Sequence, residues 1–141
     1  MGYEVNKDIG PHDVDVESNS VYVKDGSDIV IHVRFKFSDG EIGDKDLYPT
    51  KSEKSLQIAR KSLKIMGFDI DKRLVDELQD NPKLLAGQKV RVVVEEHEYN
   101  GNVTNRIAWI NDIPKPASKA ALKALTERLR NCKNDNASEA L

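Results

Sequence analysis

The chain has a single cysteine, Cys132, so no disulfide can form within its 141 residues, which agrees with a reducing compartment. No apolar run approaches the roughly 18 residues of a membrane span. The opening residues Met1, Gly2, Tyr3 and Glu4 lack the basic-then-apolar order of a signal peptide, so a cytoplasmic location is expected and no membrane partner. Phosphate-cradling motifs are missing as well, with neither GxxxxGK nor GxGxxG anywhere. His12, His32 and His97 stand far apart, without HExxH or CxxC, and no metal or cofactor is expected. Asp39, Glu41, Asp44 and Asp46 imitate the start of a calcium loop, but the glycine such a loop needs falls on Asp44 and its closing glutamate on Thr50. With no GxSxG elbow either, nothing offers a nucleophile, and the chain is expected to bind and not to catalyse.

What is present fits one globular domain, since 38% of residues are hydrophobic and 33% charged. The net charge of −2 advertises no polyanion partner, but its distribution is uneven. Residues 45–64 carry a net +4 and residues 114–133 a net +5, against −6 over residues 1–44 and −3 over residues 65–113. Both basic segments have helical spacing, and a solvated helix face accounts for such charge as readily as a ligand does.

Residues 1–11 read as an irregular lead-in. Val14 and Val16, then Val21 and Val23, alternate as a strand, and Ser18-Asn19-Ser20 between them marks a bulge or short turn. Lys24 to Asp28 is turn chemistry. Ile29, Ile31, Val33, Phe35 and Phe37 then alternate against Val30, His32, Arg34 and Lys36, which predicts a strand with one core face and one polar, basic face. Ser38-Asp39-Gly40 turns into a third strand over about 41–48.

At Thr50 the period changes. Thr50-Lys51-Ser52-Glu53 has capping-box form, Leu56, Ala59, Leu63 and Met66 follow at helical spacing, and Gly67 is placed to end the helix. A short helix is predicted over 72–79, and two further strands flank Asn100-Gly101, a strong hairpin signal. Pro114-Lys115-Pro116 reads as a stiff linker to a last helix at 118–132, followed by a polar tail at 134–141. The order β-β-β-α-β-β over residues 12–113 predicts a mainly β fold with α, a five-stranded OB-type barrel plus a C-terminal helix.

OB barrels hold ligands across strands two and three and the neighbouring loops, and single-strand binders combine a positive groove with aromatic faces for bases. The nucleic-acid-binding candidates are therefore His32, Arg34 and Lys36, Tyr22 on the adjacent strand, and Lys45, Tyr48, Lys51 and Lys54 at the barrel edge. Trp109 lies in a run that is apolar on both faces and reads as core. Asp13, Asp15 and Glu17 share a strand face and offer a two-metal nuclease option, though a plain solvent face explains them too. Glu95, Glu96 and Glu98 read as charges that protect a sheet edge.

The stretch RKSLKIMGFD (Arg60 to Asp69), followed by LLAGQKVRVVVEEHEYNG and NRIAWI, resembles a family of small bacteriophage and prophage proteins of DNA replication and recombination. The match runs over about 12–113, and the resemblance implies an OB-fold single-stranded-DNA-binding protein with no catalytic motif. The overall acidity departs from that picture, so a local positive track has to do the binding. The expected function is single-stranded DNA binding with low sequence preference, in replication or recombination in a bacterial host. The alternative is a protein-interaction module, a phage adaptor or inhibitor of a host factor, that uses the β face or the C-terminal helix. Leu122, Leu125 and Leu129 make a narrow stripe on that helix, which points to a homo-oligomer.

Overall fold

A computed structural model describes residues 3–132. The chain is mainly β, with a five-stranded antiparallel sheet and three helices among the described residues. Strands β1 (Gly10–Lys24), β2 (Asp28–Phe37) and β3 (Ile42–Leu47) precede helices α1 (Glu53–Ile65) and α2 (Asp76–Asp80). Strands β4 (Lys89–Tyr99) and β5 (Asn102–Asn111) and helix α3 (Lys119–Asn131) follow. The strands lie in the order β3-β2-β1-β4-β5, and no hydrogen-bonded ladder joins β3 to β5. The polar tail expected at 134–141 lies outside the described residues.

The long strand β1 works because of one bulge. Its pairing with β2 shifts between Val16 and Ser18, so the buried positions change from the even Val14 and Val16 to the odd Asn19. Asn19 is 2% exposed and fully used: its amide donates to Leu78 O (2.8 Å) and Asn81 O (2.9 Å), and its carbonyl accepts from Leu85 N (3.1 Å). The connection through α2 is thereby fastened to β1. Four positions of β2 follow the expected alternation, with Ile31, Val33, Phe35 and Phe37 buried. Ile29 does not. It pairs with Val23 across the hairpin, and both sit exposed where the β1–β2 ribbon runs beyond the core, while Val30 is the buried residue.

Helix α1 starts two residues later than the capping-box pattern places it. Ser52 is the N-cap and accepts from Ser55 N, whereas Thr50 Oγ1 accepts from Ile29 N at 3.0 Å and ties the β3–α1 loop to β2. Leu56, in the first turn, is exposed, so the stripe that α1 buries is Ala59, Leu63 and the C-cap Met66. Gly67, at φ +86°, ends the helix with Phe68 N donating to Leu63 O at 2.8 Å, a Schellman turn. Helix α2 is shorter than the predicted 72–79, because Glu77 accepts from Leu74 N and pairs with Arg73, which holds the preceding residues in turns. Asn100 and Gly101 both have positive φ (52° and 80°), as the β4–β5 hairpin requires.

The lead-in is structural. Glu4 bridges Arg106 on β5, Val5 N donates to Asn105 O (2.9 Å), and the Val5 side chain is 2% exposed. A Cβ built on Gly43 of β3 would come within 2.8 Å of Ile107 and 2.9 Å of Val5. Only a glycine lets β3, this segment and β5 approach so closely.

Candidate nucleic-acid interface

The β2–β3 register sets Asp46 opposite His32 and Asp44 opposite Arg34. Both aspartates are buried, and an ionised carboxylate away from water must be paired and hydrogen-bonded to persist. Arg34 Nε donates to Asp44 Oδ1 at 2.9 Å. His32 lies between the two, with Nδ1 2.6 Å from Asp46 Oδ1 and Nε2 3.1 Å from Asp44 Oδ1. Two phenols complete the cluster: Tyr3 OH donates to Asp46 Oδ2 at 2.7 Å and Tyr22 OH to the same oxygen at 3.2 Å. Burial first, then the Asp46 carboxylate, pushes the Tyr3 phenol far above its ordinary range, and the same causes raise Tyr22. His32 and Arg34 therefore do not form the open positive track expected of them. The Arg34 guanidinium and the His32 ring face two buried aspartates on the next strand, which alternation within β2 alone cannot reveal.

A second cluster lies where the β1–β2 hairpin meets the β3–α1 loop. The Tyr48 ring has the Lys51 ammonium 5.4 Å and the Lys24 ammonium 5.8 Å from its centroid, both within cation–π reach. Tyr22 is 40% exposed and close enough to Tyr48 for the two phenols to influence one another. The expected Tyr22, Tyr48 and Lys51 are thus brought together. Lys24 joins them, although its sequence neighbours mark it only as turn chemistry. The signal that could have found it is its place at the last position of β1, before the turn. Lys54 is exposed in the first turn of α1. Lys36 is exposed with no ion pair among the described residues, but six residues along β2 from Val30 it stands about 20 Å from the tyrosine end.

Lys45 falls on the other face. It pairs with Val33, a fully buried position, and burial lowers its ammonium pKa. It lines a cleft of about 460 Å³ between β3 and β5, together with Leu47, Ile58 of α1, Glu95, Arg106 and Trp109. Trp109, expected from sequence in the core, is 45% exposed there, with Nε1 donating to Glu95 Oε2 at 3.2 Å. The reason is a second bulge. Val94 pairs with Ile107 and Val93 with Trp109, so Ala108 is the extra residue, and Trp109 turns outward between the buried Ile107 and Ile110.

No family model and no curated protein matches the chain. Of Asp13, Asp15 and Glu17, the basis of the nuclease option, Asp13 and Asp15 are engaged by Arg91 (2.8 Å) and Lys89 (3.0 Å). Among the described residues no group of histidine, cysteine, aspartate and glutamate side chains is arranged to hold a metal ion. No helix of the described residues is long and apolar enough to cross a membrane.

Proposed function

We propose that the chain is a single-stranded-DNA-binding protein of phage type, with low sequence preference, acting in replication or recombination. The observation that carries this reading is the Tyr48 ring flanked by the Lys24 and Lys51 ammonium groups, with the exposed Tyr22 beside it. An aromatic face stacks on an unpaired base of any identity, and ammonium groups a few ångströms away meet the adjoining phosphates. The strand order supports an OB-type barrel, whose five strands form a partly open Greek key with β3 and β5 at the seam. In such a barrel the β1–β2 loop and the face of strands two and three are where ligands lie. The tyrosine platform stands at that corner.

A titration of the protein with fluorescently labelled single-stranded and duplex oligonucleotides tests the proposal. Single strands should bind more tightly, and affinity should fall as salt rises. Equal affinity for both forms, or no binding at low salt, overturns it. One observation favours the second reading, a protein-interaction module: no residue of α3 is buried, and Leu122, Leu125 and Leu129 are all more than half exposed.

A further inference from the structure

Helix α3 presents Leu122, Leu125 and Leu129 at i, i+3 and i+7, the spacing by which an amphipathic helix anchors in an apolar groove. Ser118 caps it by accepting from Ala121 N at 3.1 Å. Its charged side chains are mostly basic, Lys119, Lys123, Arg128 and Arg130 against Glu127 alone. Residues 112–118 join it to β5, and two prolines make that connection a stiff spacer of about 20 Å, which holds the helix off its own sheet.

The β3–β5 cleft is the complementary surface. Its floor is apolar, from Leu47, Ile58 and Ile107, and the Trp109 ring is exposed at its wall. Glu95 and Glu96 line it, with the cations Lys45 and Arg106 and the imidazole of His97; Asp44 and Asp46 border it but spend their carboxylates on the opposite face of β3. Glu95 and Glu96 make no ion pair among the described residues, and Glu98 continues the acidic rim along β4. The β4 rim of Glu95, Glu96 and Glu98 beside an apolar floor suits a basic helix with an apolar stripe.

We infer that α3 of one copy docks in the β3–β5 cleft of a second copy, leucines inward and its lysines and arginines on the acidic rim. Reciprocal exchange of the two helices closes a symmetric dimer. Tyr48 lines one end of the same cleft, so the docked helix would border the tyrosine platform.

The test needs no nucleic acid, so its outcome is independent of the DNA-binding reading. Multi-angle light scattering of the full chain should give twice the monomer mass. Leu125→Glu on the helix and, separately, Glu95→Lys with Glu96→Lys in the cleft should each return it to the monomer. Adding Lys123→Glu and Arg130→Glu to the cleft variant should restore the dimer, a rescue that a misfolded protein cannot give. Trp109, the only tryptophan, should change its emission on dilution of the unmodified protein and should not in Leu125→Glu. A monomeric unmodified protein overturns the inference. A dimer indifferent to the cleft substitutions, which is helix-to-helix pairing, also overturns it. So does a Trp109 signal that Leu125→Glu removes but dilution does not touch, which is docking within one chain.

Discussion

Arg34 rests its guanidinium on Asp44 at 2.9 Å, a half-exposed cation holding a carboxylate that is almost sealed from solvent. The aspartate raises the pKa of the arginine through that hydrogen bond, and the arginine satisfies an anion that burial would otherwise penalise. The pair thus belongs to the stability of the β2–β3 face more than to ligand attraction. Arg34→Ala should cost about 1–3 kcal/mol in denaturant unfolding, since it strips a buried carboxylate of a charged hydrogen-bond donor. Lys36→Ala should change stability by less than about 0.5 kcal/mol. In DNA binding the order should reverse, with Lys36→Ala flattening the salt dependence more than Arg34→Ala, because Lys36 is exposed and makes no ion pair among the described residues, whereas Arg34 is held by Asp44.

The tyrosine platform separates stacking from charge. Tyr48→Ala should weaken single-strand binding by about 1–3 kcal/mol while leaving the slope of log affinity against log salt nearly unchanged. Lys24→Ala with Lys51→Ala should lower the magnitude of that slope by about 1.4, at about 0.7 for each phosphate no longer neutralised. Titrations at several salt concentrations read both effects. A slope unchanged in the double lysine variant would place the phosphates elsewhere.

Alkaline pH should loosen the cluster around Asp46. The folded pKa values of Tyr3 and Tyr22 lie above the unfolded value of about 10, so the folded state holds the phenolic protons more tightly. Their contribution is fully present below pH ~10 and is lost as pH rises toward the folded values. Tyr3→Phe should make unfolding less steeply dependent on pH above 10. The phenolate absorbance of the folded protein should also lose a late-titrating component in that variant.

Asn19 is the polar anchor of the core. Asn19→Ala removes two amide donors from the carbonyls of Leu78 and Asn81 and the acceptor of Leu85 N, of which the Leu78 and Leu85 bonds are buried and the Asn81 bond part-buried. A loss of about 3 kcal/mol is expected from groups left unsatisfied in this way. Hydrogen exchange should show the segment from α2 to Leu85 opening first.

Much of this molecule is legible in its sequence where a signal is local. The alternation from Ile31 to Phe37 and the Asn100-Gly101 turn each carry their geometry in adjacent residues, and both elements stand at the expected positions. The failures involve register. Trp109 reads as core because period-two alternation cannot see the bulge at Ala108. Lys45 groups with His32 and Arg34 by charge, yet the pairing of β3 with β2 turns Lys45 toward the core side and gives Asp44 and Asp46 to the basic face. Thr50 looks like a helix cap and bonds Ile29 across the fold instead, since its hydroxyl serves whichever amide the tertiary structure brings near. The role of Val5 is invisible in a segment that has no period of its own.

Val5 stands 100 residues ahead of Asn105, whose carbonyl accepts its amide hydrogen. The β1–β2 hairpin can zip from nearby residues, but the seam between Gly43 and Ile107 closes only after β5 exists to receive Val5. Contacts so distant along the chain carry a large loop-closure cost and form late. During vectorial synthesis, Val5 and the edge of β3 therefore wait unpaired until β5 has left the ribosome, and in that interval the nascent chain is most open to mispairing with a neighbour.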